Sequence, residues 1–242
     1  MHYINKLKNS FSLFEFCFLV VGICLPIVFG IIFQSNIIYI LYTISAIMMS
    51  LFLSKGKTLS YIIGLVSCVL YIVVSFQNKY YGEIIITLTM SIPIMIFGMI
   101  SWIRNQDSTK TVIVNKIKAK ELTFLIVSQV VMFWGYYFML KAFDTESLII
   151  SSLSICVSFF ASYLEARRSD LCFFMYAIND IILICLWIMP IVYGDMSALA
   201  ILVSPCLMLI SDIYGIFNWK KIKKTQISFQ KNTNDTQQKT QV

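Results

Sequence analysis

The chain has 242 residues, of which 59% are hydrophobic and 13% charged. A soluble domain carries about a quarter charged residues, so the composition excludes a soluble fold. The apolar runs are continuous rather than alternating, which excludes a transmembrane β-barrel and leaves an all-α integral membrane protein.

Eight apolar segments follow in chain order, at 13–33, 37–53, 58–76, 82–103, 122–143, 147–164, 171–192 and 197–219. Most approach the ~20 residues that a bilayer needs; the second and sixth are short. Lys6 and Lys8 precede the first segment as in a signal peptide. Its apolar run is too long for one and no Ala-x-Ala cleavage site follows, so a retained span is expected. The chain then divides into an N-terminal transmembrane helix (1–36), a first three-helix unit (37–104), a basic loop with a linker helix (105–143), a second three-helix unit (144–222) and a polar tail (223–242). The tail has no apolar period and is expected to be disordered.

The two three-helix units resemble each other. A shift of 112 residues places Tyr81-Gly82-Glu83 on Tyr193-Gly194-Asp195, Pro93 on Pro205, and Ser67 on Asn179. After a slip of five residues, Phe97-Gly98 with Trp102 matches Tyr214-Gly215 with Trp219. Three helices, one inverter and three more put both units in the membrane the same way up, an arrangement of transporters with substrate at the repeat interface.

Charge sets the direction. With the N-terminus inside, all of the 19 basic residues except Lys79 and Lys141 fall on cytoplasmic segments. The outer loops carry Glu83, Asp144, Glu146 and Asp195. This is the positive-inside pattern, and it predicts a multi-pass protein of the cytoplasmic membrane with both termini inside. The net charge of +7 is therefore a topology signal and a means of touching anionic lipid, not a nucleic-acid surface.

Polar side chains within a span are costly and mark function or helix-to-helix contact. Asn179 and Asp180 lie in the seventh segment and Asp212 in the eighth, at a similar depth of roughly 10–13 Å. Two carboxyl groups there line a hydrated cavity, share a proton or each find a partner. Tyr176 shares the face of Asn179 and Asp180, with Trp187 further out. On the eighth segment Ser204, Ser211 and Asn218 recur every seven residues, beside Asp212 and Gly215. Trp102 and Trp219 stand where an interfacial aromatic belt would also put them. Pro93 and Pro205, with Gly98 and Gly215, are candidate hinges.

The seven cysteines form no Cys-x-x-Cys and read as packing residues. The sole histidine is His2. No hydrolase, Walker or dinucleotide-binding motif is present, so neither an enzyme nor a cofactor or metal is expected. An aspartyl-protease reading of Asp180 and Asp212 lacks the Gly-x-Gly-Asp setting.

The chain resembles the PnuC-type nicotinamide riboside transporter family across roughly residues 37–224, with the first segment similar to the extra N-terminal helix of some members. The stretches that carry the resemblance are Ser54-Lys55-Gly56-Lys57, Gly64-Leu65, Tyr80-Tyr81-Gly82-Glu83, Phe97-Gly98 with Trp102, and Tyr214-Gly215-Ile216-Phe217-Asn218-Trp219. It implies a SWEET-like core of three, one and three helices. It also implies uptake of a vitamin-like nucleoside by facilitated diffusion, with trapping by a cytoplasmic kinase. Substrate contacts would fall on Asn179, Tyr176, Ser67, Ser211, Tyr214, Trp102, Asn218 and Trp187, joined by Asp180 and Asp212. The family pattern has a tryptophan at Met175, an asparagine at Ser67, a glutamine at Met95 and a tryptophan at Met99, so a changed ligand is expected. The two aspartates suit a cation such as a nicotinamide-type or thiamine-like ring. A homo-oligomer is compatible with the sequence. The alternatives are a carrier of thiamine or another vitamin, a membrane-embedded enzyme, or a non-transporting membrane subunit.

Overall fold

The computed structural model describes residues 11–32, 34, 36–77, 81–142, 147–194 and 198–240. His2, Lys6, Lys8, Lys79, Asp144, Glu146 and Asp195 lie outside the described residues. The helices are α1 (Leu13–Ile32), α2 (Ile37–Ser54), α3 (Leu59–Gln77), α4, α5 (Ala119–Ala142), α6 (Leu148–Ala166), α7 (Leu171–Val192) and α8 (Ala198–Thr240). Helix α4 is composite: Tyr81–Ile86, a π-helical stretch Thr87–Ser91, then Ile92–Ile103. Among the described residues eight helices are long and apolar enough to cross a membrane, and they match the eight segments one to one. In lipid a helix satisfies its own backbone, and the exposed faces can stay apolar. On α5 these outward residues include Phe124, Val127, Val131 and Phe138.

Two like-oriented triplets, α2–α4 and α6–α8, form the core. Helices α2 and α6 end alike. The Gly56 amide donates to Leu53 O and the Lys57 amide to Phe52 O, at 2.8 and 3.0 Å. The Arg168 amide donates to Glu165 O and the Ser169 amide to Leu164 O, at 2.8 and 2.9 Å. Both are Schellman endings with a left-handed residue, Gly56 at φ 65° and Arg168 at φ 62°. The closing contacts cross between triplets. Trp102 Nε1 on α4 donates to Glu165 O on α6 at 2.9 Å, and Trp219 Nε1 on α8 donates to Leu53 O on α2 at 3.1 Å. The C-terminal ends of α2 and α6 thus lie beside Trp219 of α8 and Trp102 of α4, respectively. Both triplets consequently run in the same sense.

The flanking helices obey the same rule. Lys55, after α2, pairs with Glu15 of α1 at 2.9 Å; Arg167, after α6, pairs with Glu121 of α5 at 2.6 Å. Helix α1 is therefore seated on the first triplet as α5 is on the second.

Two expectations need correction. The tail is helical through Thr240, because α8 runs on unbroken from the core. Extending a formed helix adds a hydrogen bond per residue without a new nucleus. Its exit is also anchored: Lys223 Nζ meets Asp170 Oδ2 at 2.8 Å, and Gln226 bonds Val112 O and the Val114 amide at 2.9 and 3.0 Å. The prolines are not at equivalent heights. Pro93 precedes Trp102 by nine residues and Pro205 precedes Trp219 by fourteen. Five residues of helix is about 7.5 Å. Helix α4 takes up its proline with the π-helical stretch, where the Thr87 and Thr89 hydroxyls bond back to Glu83 O and Ile85 O; α8 passes Pro205 as regular α-helix.

The segment between α4 and α5 crosses beneath both triplets. The Val112 amide donates to Gly56 O at 2.9 Å and the Asn115 amide to Arg168 O at 2.8 Å, so the strap holds both Schellman turns. Val112 is fully buried against the two tryptophans. Asp107 braces the strap. Partial burial opposes its ionisation, but hydrogen bonds from the Thr109 hydroxyl and the Thr111 and Thr109 amides outweigh this and hold its carboxyl below the usual range.

Gly98 lies against the Tyr61 ring and Gly215 against the Phe173 ring, with no room for a Cβ atom. Gly98→Ala and Gly215→Ala are each expected to cost about 1–3 kcal/mol by overpacking. Gly135→Ala, which meets open space, is the matched control. Thermal unfolding in detergent checks this: both core variants should melt lower than the Gly135 variant.

Candidate functional site

The chemistry gathers where the triplets meet. Tyr61 of α3 stands edge-on to Trp102 at 5.0 Å between ring centroids; Phe173 of α7 does the same to Trp219 at 5.2 Å. The two tryptophans contact at 5.5 Å. Both are fully buried, so they do not form an interfacial belt; they are the meeting point of the triplets.

Glu165 lies within this aromatic group and is only 3% exposed. Its Oε2 accepts from the Tyr176 hydroxyl at 2.6 Å, and that hydroxyl also contacts Ser162 Oγ at 3.1 Å. The Tyr61 hydroxyl points toward the same carboxyl without closing a well-formed hydrogen bond. Sequence reasoning missed Glu165, because it immediately precedes Ala166-Arg167-Arg168 and reads as one more charge at a helix end. A signal was available: the 112-residue shift places it on Leu53, so the charge breaks the repeat.

Asp180 and Asp212 come together. They are 6% and 4% exposed, and their carboxyls lie within hydrogen-bonding reach of each other. Asp180 Oδ2 has no partner. Counting from Trp102 and Trp219, Met95 is the counterpart of Asp212; the 112-residue shift makes Cys68 that of Asp180. Cys68 Sγ and Met95 Sδ are themselves 3.7 Å apart. One pair of facing positions thus holds sulfur in the first triplet and carboxyl in the second.

Other expected residues are engaged between helices. Asn179 Oδ1 accepts from Ser154 Oγ on α6 at 2.9 Å. Asn179 and Tyr176 thus face α6 while Asp180 faces α8, so the three do not form one wall. Ser211 and Ser50 share a 2.6 Å bond, and Asn218 Nδ2 donates to Ser54 O at 2.9 Å, so this part of the polar stripe on α8 ties it to α2. Tyr214 donates to Glu15 Oε1 at 2.8 Å and packs on Phe14 of α1, away from the carboxyl group cluster. Ser67 is buried in α3, and Trp187 is half-buried further along α7. An apolar hollow of about 320 Å³ lies elsewhere, between α1 and α8, lined by Leu25, Phe29, Val203 and Leu207.

A family model described as nicotinamide mononucleotide transporter matches residues 36–221. The chain belongs to the nicotinamide mononucleotide transporter family. Its similarity to the nicotinamide riboside transporter PnuC of Neisseria mucosa is 26% identity over 186 residues, covering 75% of this chain and 71% of that one. The PnuC of Haemophilus influenzae is 26% identical over 185 residues, covering 75% and 78%. The crystal structure of the vitamin B3 transporter PnuC superposes with a TM-score of 0.76, at 22% identity, over 92% of this chain and 97% of that one. The fold is therefore that of this family of membrane transporters, and the family's members named here are transporters rather than enzymes.

The tryptophan contacts yield a direct test. Trp102→Phe and Trp219→Phe keep an aromatic ring but remove an indole donor from a buried carbonyl. Each is expected to cost about 1–3 kcal/mol. The two variants should show similar falls in melting temperature, and the double variant a larger one.

Proposed function

We propose that the protein carries nicotinamide riboside, or a closely related vitamin or nucleoside, across the cytoplasmic membrane by facilitated diffusion. Both termini lie inside, as the basic loops imply. A cytoplasmic kinase phosphorylates the arriving nucleoside and prevents its return. The support is the family match, together with two relatives whose names specify nicotinamide riboside. The observation that carries the reading to this chain is the set of buried carboxyls, Glu165, Asp180 and Asp212, grouped with aromatic rings near the triplet interface. Nicotinamide riboside holds its ring as a pyridinium cation, and acidic and aromatic groups together suit such a charge.

A thiamine-like cation is the second reading. It is favoured by Met95, Met99 and Met175, which pack against the aromatic core where the resembled family pattern has glutamine and tryptophan. Methionine is flexible and polarisable, and it accommodates a ring of different outline. Asn179, Asp180, Asp212 and Tyr176 are proposed to touch substrate once the triplets part; Trp102 and Trp219 would close behind it. Gly98 and Gly215, where helix backbone meets a ring, serve as the pivots, and the π-helical stretch before Pro93 gives α4 its bend.

Reconstituted protein should take up radiolabelled nicotinamide riboside saturably. Replacing both aspartates (Asp180→Asn with Asp212→Asn) should lower uptake by about tenfold or more, the consequence of removing counter-charges from a buried site. Uptake of thiamine in place of nicotinamide riboside selects the second reading. Uptake of neither, with no ligand-induced rise in melting temperature, refutes both.

A further inference from the structure

A second group of polar and aromatic side chains lies in the first triplet, at the end remote from the strap and the two tryptophans. Tyr42 stands five residues from the start of α2, Tyr71 six from the end of α3, and Glu83 in the first turn of α4. The two tyrosines are thus about 8–9 Å in from that end. Their rings meet at 5.1 Å between centroids, tilted by 31°, and the Tyr71 hydroxyl donates to Glu83 Oε2 at 3.0 Å. All three residues are only half-buried, so a small molecule can reach them. Among the described residues no cationic side chain meets Glu83, whereas Glu15, Glu121 and Asp170 each have one. Ser75, one turn beyond Tyr71 on the same face of α3, is 1% exposed. Its Oγ is turned toward the Tyr71 hydroxyl but closes no hydrogen bond. Buried hydroxyls are normally satisfied, so bonding capacity is spare beside the rings. The π-helical stretch Thr87–Ser91 begins one turn after Glu83, and Thr87 Oγ1 donates to Glu83 O at 2.7 Å. Such stretches are frequent at functional sites. The second triplet lacks this group: the 112-residue shift places Ser154 on Tyr42 and Leu183 on Tyr71.

We propose that Tyr42, Tyr71 and Glu83 form a second binding site for a flat organic cation, at the outer mouth of the first triplet and separate from the buried acids of the second. This rests on the cationic-substrate reading above, and the mouth is outer in the orientation given there. Glu83 supplies the counter-charge, a tyrosine ring supplies a face for the cation, and the Ser75 hydroxyl supplies a polar partner. Further into the bundle on α3 and α4 come Cys68 and Met95, and Met95 packs against the aromatic core, so the mouth stands in line with that core. No ion is exchanged and no bond is made. The site holds the cation at the mouth, and the cation moves on in either direction as its own gradient dictates.

The test is equilibrium dialysis of the purified full chain against radiolabelled nicotinamide riboside and against its reduced form, which has the same outline but an uncharged ring. The wild-type protein should bind two equivalents of the cation, one of them weaker. Glu83→Gln keeps an acceptor for Tyr71 but removes the charge, and it should weaken the second equivalent by about tenfold. Tyr42→Leu should weaken it by a few-fold, about the worth of a cation–π contact. Tyr71→Phe removes the tie between α3 and α4 while keeping ring and charge, and it should leave both equivalents in place. If Glu83 serves only as that tie, Tyr71→Phe lowers the melting temperature and Glu83→Gln leaves binding unchanged, which overturns the site. Equal stoichiometry and affinity for the charged and reduced forms in the wild-type protein also overturn it, whether or not any variant folds. Uptake into liposomes is measured in parallel. Uptake with a single equivalent that is insensitive to Glu83→Gln refutes the outer site and leaves the transport reading standing. A Glu83-dependent equivalent without uptake supports the outer site and counts against transport. Neither binding nor uptake refutes both.

Discussion

Two indole N–H groups cross between the triplets, and each ends on the carbonyl at the close of the opposite triplet's first helix. Each carbonyl also takes the amide of the left-handed residue in the turn that follows. An sp² oxygen has two lone pairs, and both are used. These carbonyls thereby join three things: the end of a helix, the turn after it and the last helix of the other triplet. The strap after α4 extends the junction by bonding the carbonyls of the same two turns. Removing either indole leaves a buried acceptor short of a donor at the point where the halves of the molecule are held together.

Around that junction the frame is nearly two-fold and the chemistry is not. Leu53 stands opposite Glu165, Cys68 opposite Asp180, and Met95 opposite Asp212. The first triplet is apolar or sulfur-lined at the positions where the second is acidic. Tyr61 is the notable contribution from the first triplet, reaching across to Glu165. A duplicated frame supplies two bodies of like build, and the buried acids lie on one of them. Parallel-repeat transporters place substrate between such bodies.

The left-handed turns show how different sequences meet one geometric demand. Gly56 adopts its positive φ without steric cost, whereas Arg168 does so with a side chain. Arg168 is held there by the Asn115 amide on its carbonyl and by its own guanidinium on Ile113 O at 3.4 Å. The strap thus stabilises a conformation that the local sequence alone disfavours.

The number of helices, their like-oriented grouping and the membrane setting were legible in the sequence, because hydropathy and the repeat act locally and every lipid-exposed segment must satisfy its own backbone. Asn179, Asp180 and Asp212 were legible as exceptional for the same reason: a polar group in an apolar run is costly wherever it points. What each one meets was decided by the tertiary structure. One residue of helix turns a side chain by 100°, so Asn179 reaches Ser154 while its neighbour reaches Asp212. Glu165 reads locally as one more charge at a helix end and stands out only as a break in the repeat; its burial was decided by α4 and α7 packing over it. The tail's helicity likewise depends on how α8 is seated, which no local pattern encodes.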